Sequence, residues 1–366
     1  MKETNHERLE KDIRAAYKTQ KPLYIWGAPG IGKSDTVRKV AKEIAEDKGL
    51  KYEEYSGEFK EDTLHLVDVR VSQLEPSDLR GIPKIGDDSV KWIKPDWLPT
   101  EGIGILFLDE LNTAHQSIQK AAYQLILDRR IGDYILPEGW ITIAAGNRQS
   151  DKANVFNMPK PLQNRFLHTT LVEPTVDDWA EWAMDNGIDS RIIGFLKFKR
   201  DYLMDFNPTD SNKAFASPRT WEYVSDLIED VEDYNEVYEL SSLAIGTGKS
   251  IELMEFIKLR EKMDVREILE NPEGVEIPEQ RDVFYSMVTG VADAFKEKDE
   301  HLENIQKFVV RLIDMGNHTS MTHYKEGAIL CLKLTVDKHK DYFSNNFHKF
   351  DESEVIAKQL WKYWKK

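Results

Sequence analysis

A glycine-rich segment that ends in lysine and serine has the residue types and the spacing to hold a polyphosphate. The pattern is G-x-x-x-x-G-K-S, in which glycine lets backbone N–H groups approach phosphate oxygens closely. The lysine ammonium suits the β- and γ-phosphates, and the serine hydroxyl suits Mg²⁺. The pattern therefore predicts a phosphate and Mg²⁺ site made, in chain order, by Gly27, Ala28, Pro29, Gly30, Ile31, Gly32, Lys33 and Ser34.

The segments on either side of this loop are those that such a site requires. Leu23–Trp26 is a short apolar run that predicts a buried strand, and Ser34–Asp47 repeats apolar residues at helical spacing. The predicted helix directs the positive end of its dipole at the same anion. A glycine turn without a ligand is the alternative, and the order of strand, turn and helix disfavours it.

Two acidic residues follow another apolar run. Ile105–Leu108 predicts a central strand of a parallel sheet, and Asp109 and Glu110 come directly after it. Ligands of open α/β sheets bind beyond the carboxyl ends of the strands, so this pair is predicted to lie beside the phosphates. Asp109 is then a Mg²⁺ ligand, usually through water, and Glu110 orients the attacking water or accepts its proton. The alternative is an acidic surface turn.

Three further polar residues are candidates for contact with phosphates or with the attacking water. Asn147 follows the predicted strand Ile141–Ala145, and its amide can bond both a γ-phosphate oxygen and the water, although asparagine is also a common turn residue. Arg165 ends a short predicted helix; a lone arginine is usually a surface charge, but in a ring it could reach a neighbour's nucleotide. Arg219 opens a helix capped by Ser217, where it could clamp phosphates or pair with nearby acidic residues.

The composition predicts a soluble globular protein without an internal disulfide. Of the 366 residues, 40% are hydrophobic, no apolar run reaches the roughly 18 residues of a membrane span, and the charged first residues lack a signal-peptide core. Cys331 is the only cysteine, which suits a reducing compartment, so we expect a cytoplasmic protein. The net charge of −15 disfavours sequence-independent binding to nucleic acid.

Strand and helix patterns alternate in the first half of the chain, whereas helical spacing dominates after Pro174. We expect an α/β phosphate-binding core at 1–173, a helical segment at 174–250 and a further helical region of unknown role at 251–366. Hairpins are predicted within 84–93 and 130–140. Gly246–Ser250 imitates a second phosphate loop, but it lacks the first glycine and follows a predicted helix, so we reject it.

Together, these motifs resemble those of the AAA+ ATPases, and within them the MoxR-type branch. The resemblance covers residues 1–250 and leaves the last third of the chain unassigned. The matching segments are Gly27–Ser34 for Walker A, Leu106–Asn112 for Walker B, Ala145–Asn147 for sensor one, Asn164–Phe166 for the arginine finger, Ser217–Arg219 for sensor two, and Leu74–Pro83 with the 130–140 hairpin for the insertions that mark this branch.

The resemblance implies a P-loop NTPase fold with a five-stranded parallel sheet, a helical lid at 174–250 and a helical C-terminal extension. It implies ATP and Mg²⁺ at each subunit boundary of a ring, usually a hexamer, with catalytic roles for Glu110, Asn147, Arg165 and Arg219. Members of this branch are typically chaperone-like remodellers of proteins, often with a partner that carries a von Willebrand factor A domain.

We therefore expect a Mg²⁺-dependent ATP hydrolase that couples in-line attack by water to the remodelling of a protein partner. A nucleic-acid motor or loader is an alternative, since related rings thread DNA, although the acidic charge disfavours it. A nucleotide-switched scaffold with little turnover is another alternative. Glu110, Asn147 and Arg165 weigh against it, because a switch needs only the phosphate cradle.

Overall fold

The computed structural model describes residues 3–85, 90–151, 156, 158, 160–207, 214–261, 263–319 and 321–346, apart from the side chains of residues 149, 161 and 261. The chain divides into two compact units, Met1–Pro174 and Thr175–Lys366. Residues 347–366, which end the predicted C-terminal region, lie outside the described residues.

The first unit is built from strands that alternate with helices. Its strands are β1 (Glu3–Thr4), β2 (Leu23–Trp26), β3 (Lys51–Glu54), β4 (Thr63–Arg70), β5 (Ile82–Ile85), β6 (Val90–Ile93), β7 (Ile103–Asp109), β8 (Arg130–Ile131), β9 (Tyr134–Ile135), β10 (Trp140–Gly146) and β11 (Leu167–Leu171). Its helices are α1 (His6–Thr19), α2 (Lys33–Asp47), α3 (Pro76–Arg80), α4 (Gln116–Asp128) and α5 (Lys160–Gln163). The predicted strands and the two predicted hairpins, β5–β6 and β8–β9, are confirmed.

The main sheet of the described residues has seven strands, and not the five that we expected. Its order is β1-β11-β2-β10-β7-β4-β3, and all neighbouring strands are parallel. Three of the five central strands, β2, β7 and β10, are those predicted from apolar runs. The prediction missed β1 because it has only two residues, and β3 because an edge strand of sequence Lys-Tyr-Glu-Glu buries no side chain fully.

Helices cover both faces of this sheet. On one face, α1 and α2 contact each other, and α2 also contacts β4 and β7. On the other face, Ile118, Ala121 and Leu125 of α4 lie in one buried cluster with Tyr24 of β2 and Leu106 of β7. A parallel sheet buried on both sides explains why the three middle strands β2, β10 and β7 are continuous apolar runs instead of alternating patterns.

The described part of the second unit is helical. Its helices are α6 (Val176–Asp185), α7 (Ser190–Phe198), α8 (Pro218–Ile228), α9 (Tyr234–Ile245), α10 (Thr247–Glu261), α11 (Val265–Glu270), α12 (Arg281–Ala294), α13 (Asp299–His318), α14 (His323–Lys338) and α15 (Lys340–Asn346). Buried residues from α6 to α15 form one apolar cluster. The expected division of this half into a lid and a C-terminal region stays a prediction.

The beginning of α8 is defined by its capping residues. Ser217 Oγ accepts the backbone N–H of Thr220 at 3.3 Å, while Ser217 N donates to Thr220 Oγ1 at 2.7 Å, and Pro218 occupies the first helical position. Gly246 lies between α9 and α10, so a helix precedes the glycine-rich Gly246–Ser250 segment. No helix among the described residues has the length and apolar character needed to cross a membrane.

Gly104, in the middle of the sheet, is predicted to tolerate no side chain. A Cβ built there would lie 2.1 Å from His65 O and 2.8 Å from the Trp140 ring. We expect Gly104→Ala to lower the free energy of unfolding by about 1–3 kcal/mol, because the backbone of β4 or the indole must shift. Urea denaturation followed by tryptophan fluorescence measures this loss.

The matched control is Gly248→Ala in α10, since a Cβ at Gly248 would meet nothing within 4 Å. Alanine has the better helix propensity, so this variant should be at least as stable as the parent. Equal stability of the Gly104→Ala variant and the parent would contradict the packing seen around β7.

Candidate phosphate-binding site

The loop between β2 and α2 has the backbone shape of a phosphate cradle. Gly30 and Gly32 have φ angles of 77° and 87°, in the left-handed region that favours glycine. At Gly27, a Cβ would lie 2.7 Å from Ile31 Cδ1 and 3.0 Å from Leu171 O. The loop therefore depends on all three glycines, and it leads into the N-terminus of a 15-residue helix, where N–H groups attract anions.

Lys33 is buried at the junction of this loop with the sheet. Its side chain is 8% exposed, and Nζ donates to Gly27 O at 2.9 Å and to Ala28 O at 2.8 Å. The same ammonium group lies 3.4 Å from Oδ1 of Asn147, which directly follows β10. The carbonyl oxygens compensate a charge that would otherwise be costly to bury, and they hold it at the mouth of the loop.

Two oxygen-bearing side chains meet beside the loop. Ser34 Oγ donates to Asp109 Oδ2 at 3.0 Å, and Asp109 Oδ1 accepts the backbone N–H of Glu110 at 2.8 Å. A hydroxyl and a carboxylate at this distance match the hard oxygen ligands that Mg²⁺ prefers. The residues present therefore fit a magnesium ion, with Ser34 and Asp109 as its protein partners.

Glu110 is held in an unusual backbone conformation. Its φ angle is 56°, which is in the left-handed region and costs a non-glycine residue about 1 kcal/mol or more. The hydroxyl of Ser72, in the 3₁₀ turn Val71–Gln73 that follows β4, donates to Glu110 Oε2. Strain of this kind often marks functional positions, and here it turns a carboxylate toward the end of β4.

Asn147 is fixed by a reciprocal pair of hydrogen bonds. Asn112 Nδ2 donates to Asn147 O at 2.7 Å, and Asn147 N donates to Asn112 Oδ1 at 3.1 Å. Asn112 is buried, and a Cβ on Gly146 would lie 2.2 Å from its Oδ1. Gly146, which precedes Asn147, therefore leaves space for the Asn112 side chain, and Asn112 orients Asn147.

The sheet order explains why four predicted residues converge. Strands β2, β10 and β7 are neighbours and parallel, so their carboxyl ends lie at one edge. Lys33 follows the first of these ends, Asn147 the second, and Asp109 with Glu110 the third. Lys33 Nζ lies 3.4 Å from Asn147 Oδ1, and Ser34, the residue after Lys33, bonds to Asp109, so a cation, two carboxylates and an amide lie in one site.

Arg165 does not lie at this edge. It is exposed in the turn between α5 and β11, and β11 begins at Leu167, which is paired with Leu23, the first residue of β2. Because the two strands are parallel, Arg165 lies at the amino edge of the sheet, where the strands begin, and the phosphate loop lies at the carboxyl edge, where they end. Arg219 is an exposed residue in the first turn of α8, in the second unit.

Three residues support the site through contacts that the sequence did not predict. His6 Nε2 donates to Ile31 O at 2.8 Å, and so connects the first turn of α1 to the phosphate loop. Ser72 and Asn112 contact Glu110 and Asn147, respectively, from 38 and 35 residues away. His6 and Ser72 belong to no motif, and Asn112 ends the Walker B segment, but only the fold shows what these three side chains contact.

Asp68 on β4 is a carboxyl close to the site that does not belong to any motif. Its Oδ2 lies 3.5 Å from Arg38 Nη2 of α2. Burial and the negative charge of Asp109 raise the pKa of Asp68 to about 6, although Arg38 and Arg70 act in the opposite direction. Folding therefore shifts the proton equilibrium of this carboxyl toward the protonated form.

Comparisons with known proteins give limited similarity. No protein-family model matches the chain. The chain is 27% identical to midasin from Giardia intestinalis in an alignment of 186 residues that covers 48% of this chain and only 3% of midasin. Among solved structures it is similar to a mutant RuvB from Thermotoga maritima, with 17% identity, a TM-score of 0.34, and 72% of this chain and 75% of that chain covered.

Two other solved structures have comparable scores. The ADP complex of NtrX from Brucella abortus has 12% identity and a TM-score of 0.38, with 96% of this chain and 67% of that chain covered. PCH-2 from C. elegans has 10% identity and a TM-score of 0.33, with 68% of this chain and 66% of that chain covered.

Asp68 provides a test of the electrostatics beside the site. In the unfolded chain Asp68 ionises at its ordinary pKa of about 4, whereas folding raises the pKa to about 6. Ionisation therefore lowers the free energy of unfolding as the pH rises from about 4 to about 6, and the full cost remains at higher pH. We expect Asp68→Asn to be more stable than the parent by about 1–2 kcal/mol near pH 8, after allowance for solvent at the partly exposed carboxyl. The difference should shrink as the pH falls toward about 4.

The measurement is the free energy of unfolding from urea titrations across this pH range, without Mg²⁺ or nucleotide. An advantage of Asp68→Asn that stays constant with pH would show that the effect comes from shape or hydrogen bonding and not from ionisation.

Proposed function

We propose that this protein is a Mg²⁺-dependent ATPase of the AAA+ type. The observation that carries the proposal is the convergence of Lys33, Asp109, Glu110 and Asn147 at the carboxyl ends of three neighbouring parallel strands. An acidic surface turn or an empty glycine turn would not require a buried ammonium group within 3.4 Å of an amide and a serine bonded to an aspartate. A polyphosphate with its metal ion accounts for all of these groups together.

Each residue of the site has a defined task in ATP hydrolysis. Bound Mg²⁺ would supply charge neutralisation between phosphate oxygens, held by Ser34 and Asp109. Lys33 binds the β- and γ-phosphates, and Asn147 orients the attacking water. The water oxygen forms a bond to the γ-phosphorus, the bond from that phosphorus to ADP breaks, and Glu110 accepts the water proton. Ser72 keeps the Glu110 carboxylate in one orientation through its hydrogen bond.

We propose further that the active form is a ring, as a hexamer, in which Arg165 acts on the nucleotide of a neighbouring subunit. The position of Arg165 supports this: it is exposed and lies at the sheet edge opposite to its own phosphate loop. A guanidinium from a neighbour would stabilise the charge that develops in phosphoryl transfer. Arg219 is proposed as a second phosphate-contacting arginine.

The work done by this ATPase is proposed to be the chaperone-like remodelling of a protein. The MoxR-type motifs, including the β8–β9 hairpin within the 130–140 insertion, support this assignment, and a partner with a von Willebrand factor A domain is the candidate that the branch favours. The negative net charge of −15 supports a protein over a nucleic acid as the substrate.

A pair of substitutions separates binding from hydrolysis. Lys33→Ala should abolish ATP binding in calorimetry, because it removes the charge that faces the phosphates. Glu110→Gln should bind ATP with near-normal affinity and release phosphate at least about a hundredfold more slowly, because an amide cannot accept the proton.

Undiminished binding by the Lys33→Ala variant would contradict the cradle assignment. Near-normal phosphate release by the Glu110→Gln variant would remove Glu110 from the catalytic role. Glu53→Gln is a matched control, because Glu53 lies on the outermost strand β3 and pairs with Lys60. This variant should leave both measurements unchanged.

Mixing experiments test the action of Arg165 on a neighbour. Arg165→Ala should bind ATP but turn it over slowly, whereas Glu110→Gln subunits bind ATP, hydrolyse it very slowly and retain Arg165. Mixed assemblies of the two variants should therefore recover part of the parent turnover per active site. If no mixture exceeds the sum of the separate activities, Arg165 does not act between subunits.

A further inference from the structure

A side-chain bridge connects the two edges of the sheet described above. The indole Nε1 of Trp26, the last residue before the phosphate loop, donates to His168 Nδ1 at 3.1 Å. His168 Nε2 contacts the backbone carbonyl of Gln163 at 2.5 Å. Trp26 and His168 are 142 residues apart in the chain, and they come together because β2 and β11 are neighbours.

The partners of His168 determine its tautomer. An indole N–H can only donate, and a carbonyl oxygen can only accept, so Nδ1 is the acceptor and Nε2 carries the proton. Both ring nitrogens are therefore engaged in directed hydrogen bonds, and the ring also stacks on Trp26 with centroids 6.2 Å apart. The imidazole therefore connects the Trp26 indole to the Gln163 carbonyl through two directed hydrogen bonds, and it does more than fill space.

The far end of this bridge holds the turn that carries Arg165. The carbonyl of Gln163 also accepts the N–H of Phe166 at 3.4 Å, and the Gln163 side chain donates to Met158 O at 2.8 Å. The Phe166 ring packs edge-on against Tyr24, the neighbour of Trp26 on the same face of β2, with centroids 5.4 Å apart. We therefore expect a shift of the Trp26 indole to alter the contacts that hold residues 163–166, through His168 and through Tyr24.

We propose that His168 is a positioning residue that couples the phosphate loop of a subunit to its own Arg165. When nucleotide rearranges the loop, the Trp26 indole moves with Gly27, and the His168 imidazole transmits this movement to the Arg165 turn at the other edge. A subunit then presents its arginine to the neighbour in a way that depends on its own nucleotide. This inference rests on the proposed ATPase function and on the action of Arg165 between subunits.

The central experiment is a double-mutant cycle on turnover. Trp26→Phe keeps an aromatic ring but removes the indole N–H, so we expect turnover to fall about threefold to tenfold while the Kd for ATP stays within about twofold, as for the loss of one hydrogen bond. The combination with Arg165→Ala should be no slower than Arg165→Ala alone, because both variants disable the same arginine.

The matched control is Trp97→Phe, which removes an indole hydrogen bond of the same length, 3.1 Å, to Asp78 O in another part of the unit. It should leave turnover unchanged. A conservative variant sharpens the test: His168→Gln retains one acceptor and one donor and should be faster than His168→Leu, which retains neither.

Two outcomes would overturn the proposal. If the losses from Trp26→Phe and Arg165→Ala multiply, the two residues act independently. If Trp26→Phe instead weakens ATP binding in proportion to its loss of turnover, Trp26 only shapes the phosphate loop.

A second readout does not depend on ATP hydrolysis. In the nucleotide-free protein, hydrogen exchange at the Phe166 amide should be faster in Trp26→Phe and His168→Leu than in the parent and Trp97→Phe. Unchanged exchange at this amide would overturn the bridge whatever the activity. Absence of ATP binding by the parent in calorimetry would instead reject the proposed function, so the two failures are distinguishable.

Discussion

The site depends on how closely β10 can pass between β2 and β7. Ser34 and Asp109 flank this strand and still form a hydrogen bond of 3.0 Å, although they are 75 residues apart in the chain. Gly146, the last residue of β10, has no side chain, and a Cβ there would lie 2.1 Å from the Tyr24 hydroxyl oxygen and 2.2 Å from Asn112 Oδ1. The end of β10 therefore leaves space for the Tyr24 hydroxyl and for the Asn112 side chain, which bonds to the backbone of Asn147.

The same edge of the sheet concentrates features that are unfavourable for stability. A lysine is buried, Glu110 has a left-handed backbone, and Asp68 has a raised pKa beside Asp109. Compensation is local and partial, through two loop carbonyls for Lys33 and one hydroxyl for Glu110. A site that binds a highly charged ligand has this character, because its charges are arranged for the ligand and not for the folded protein alone.

The sequence was sufficient where a feature is local in the chain. The phosphate loop, the central strands and the Ser217 cap follow from neighbouring residues, and each was predicted. The strand β3 was missed because an edge strand needs no apolar pattern, and Ser72 was missed because its partner Glu110 is 38 residues away. The Trp26–His168 contact is the extreme case, since nothing local to either residue indicates the other.

The opposite placement of Arg165 and the phosphate loop also limits which assemblies are productive. In a two-fold dimer, each subunit uses the same patch, so an arginine at the amino edge meets a loop at the carboxyl edge only if one patch contains both. Arg165 and Lys33 lie at different edges of the sheet, so they do not share a small patch. A head-to-tail contact joins one edge to the other and repeats at every subunit, and it closes into a ring when the rotation allows. The ring in the proposed function is therefore the assembly in which each proposed arginine serves a neighbouring site.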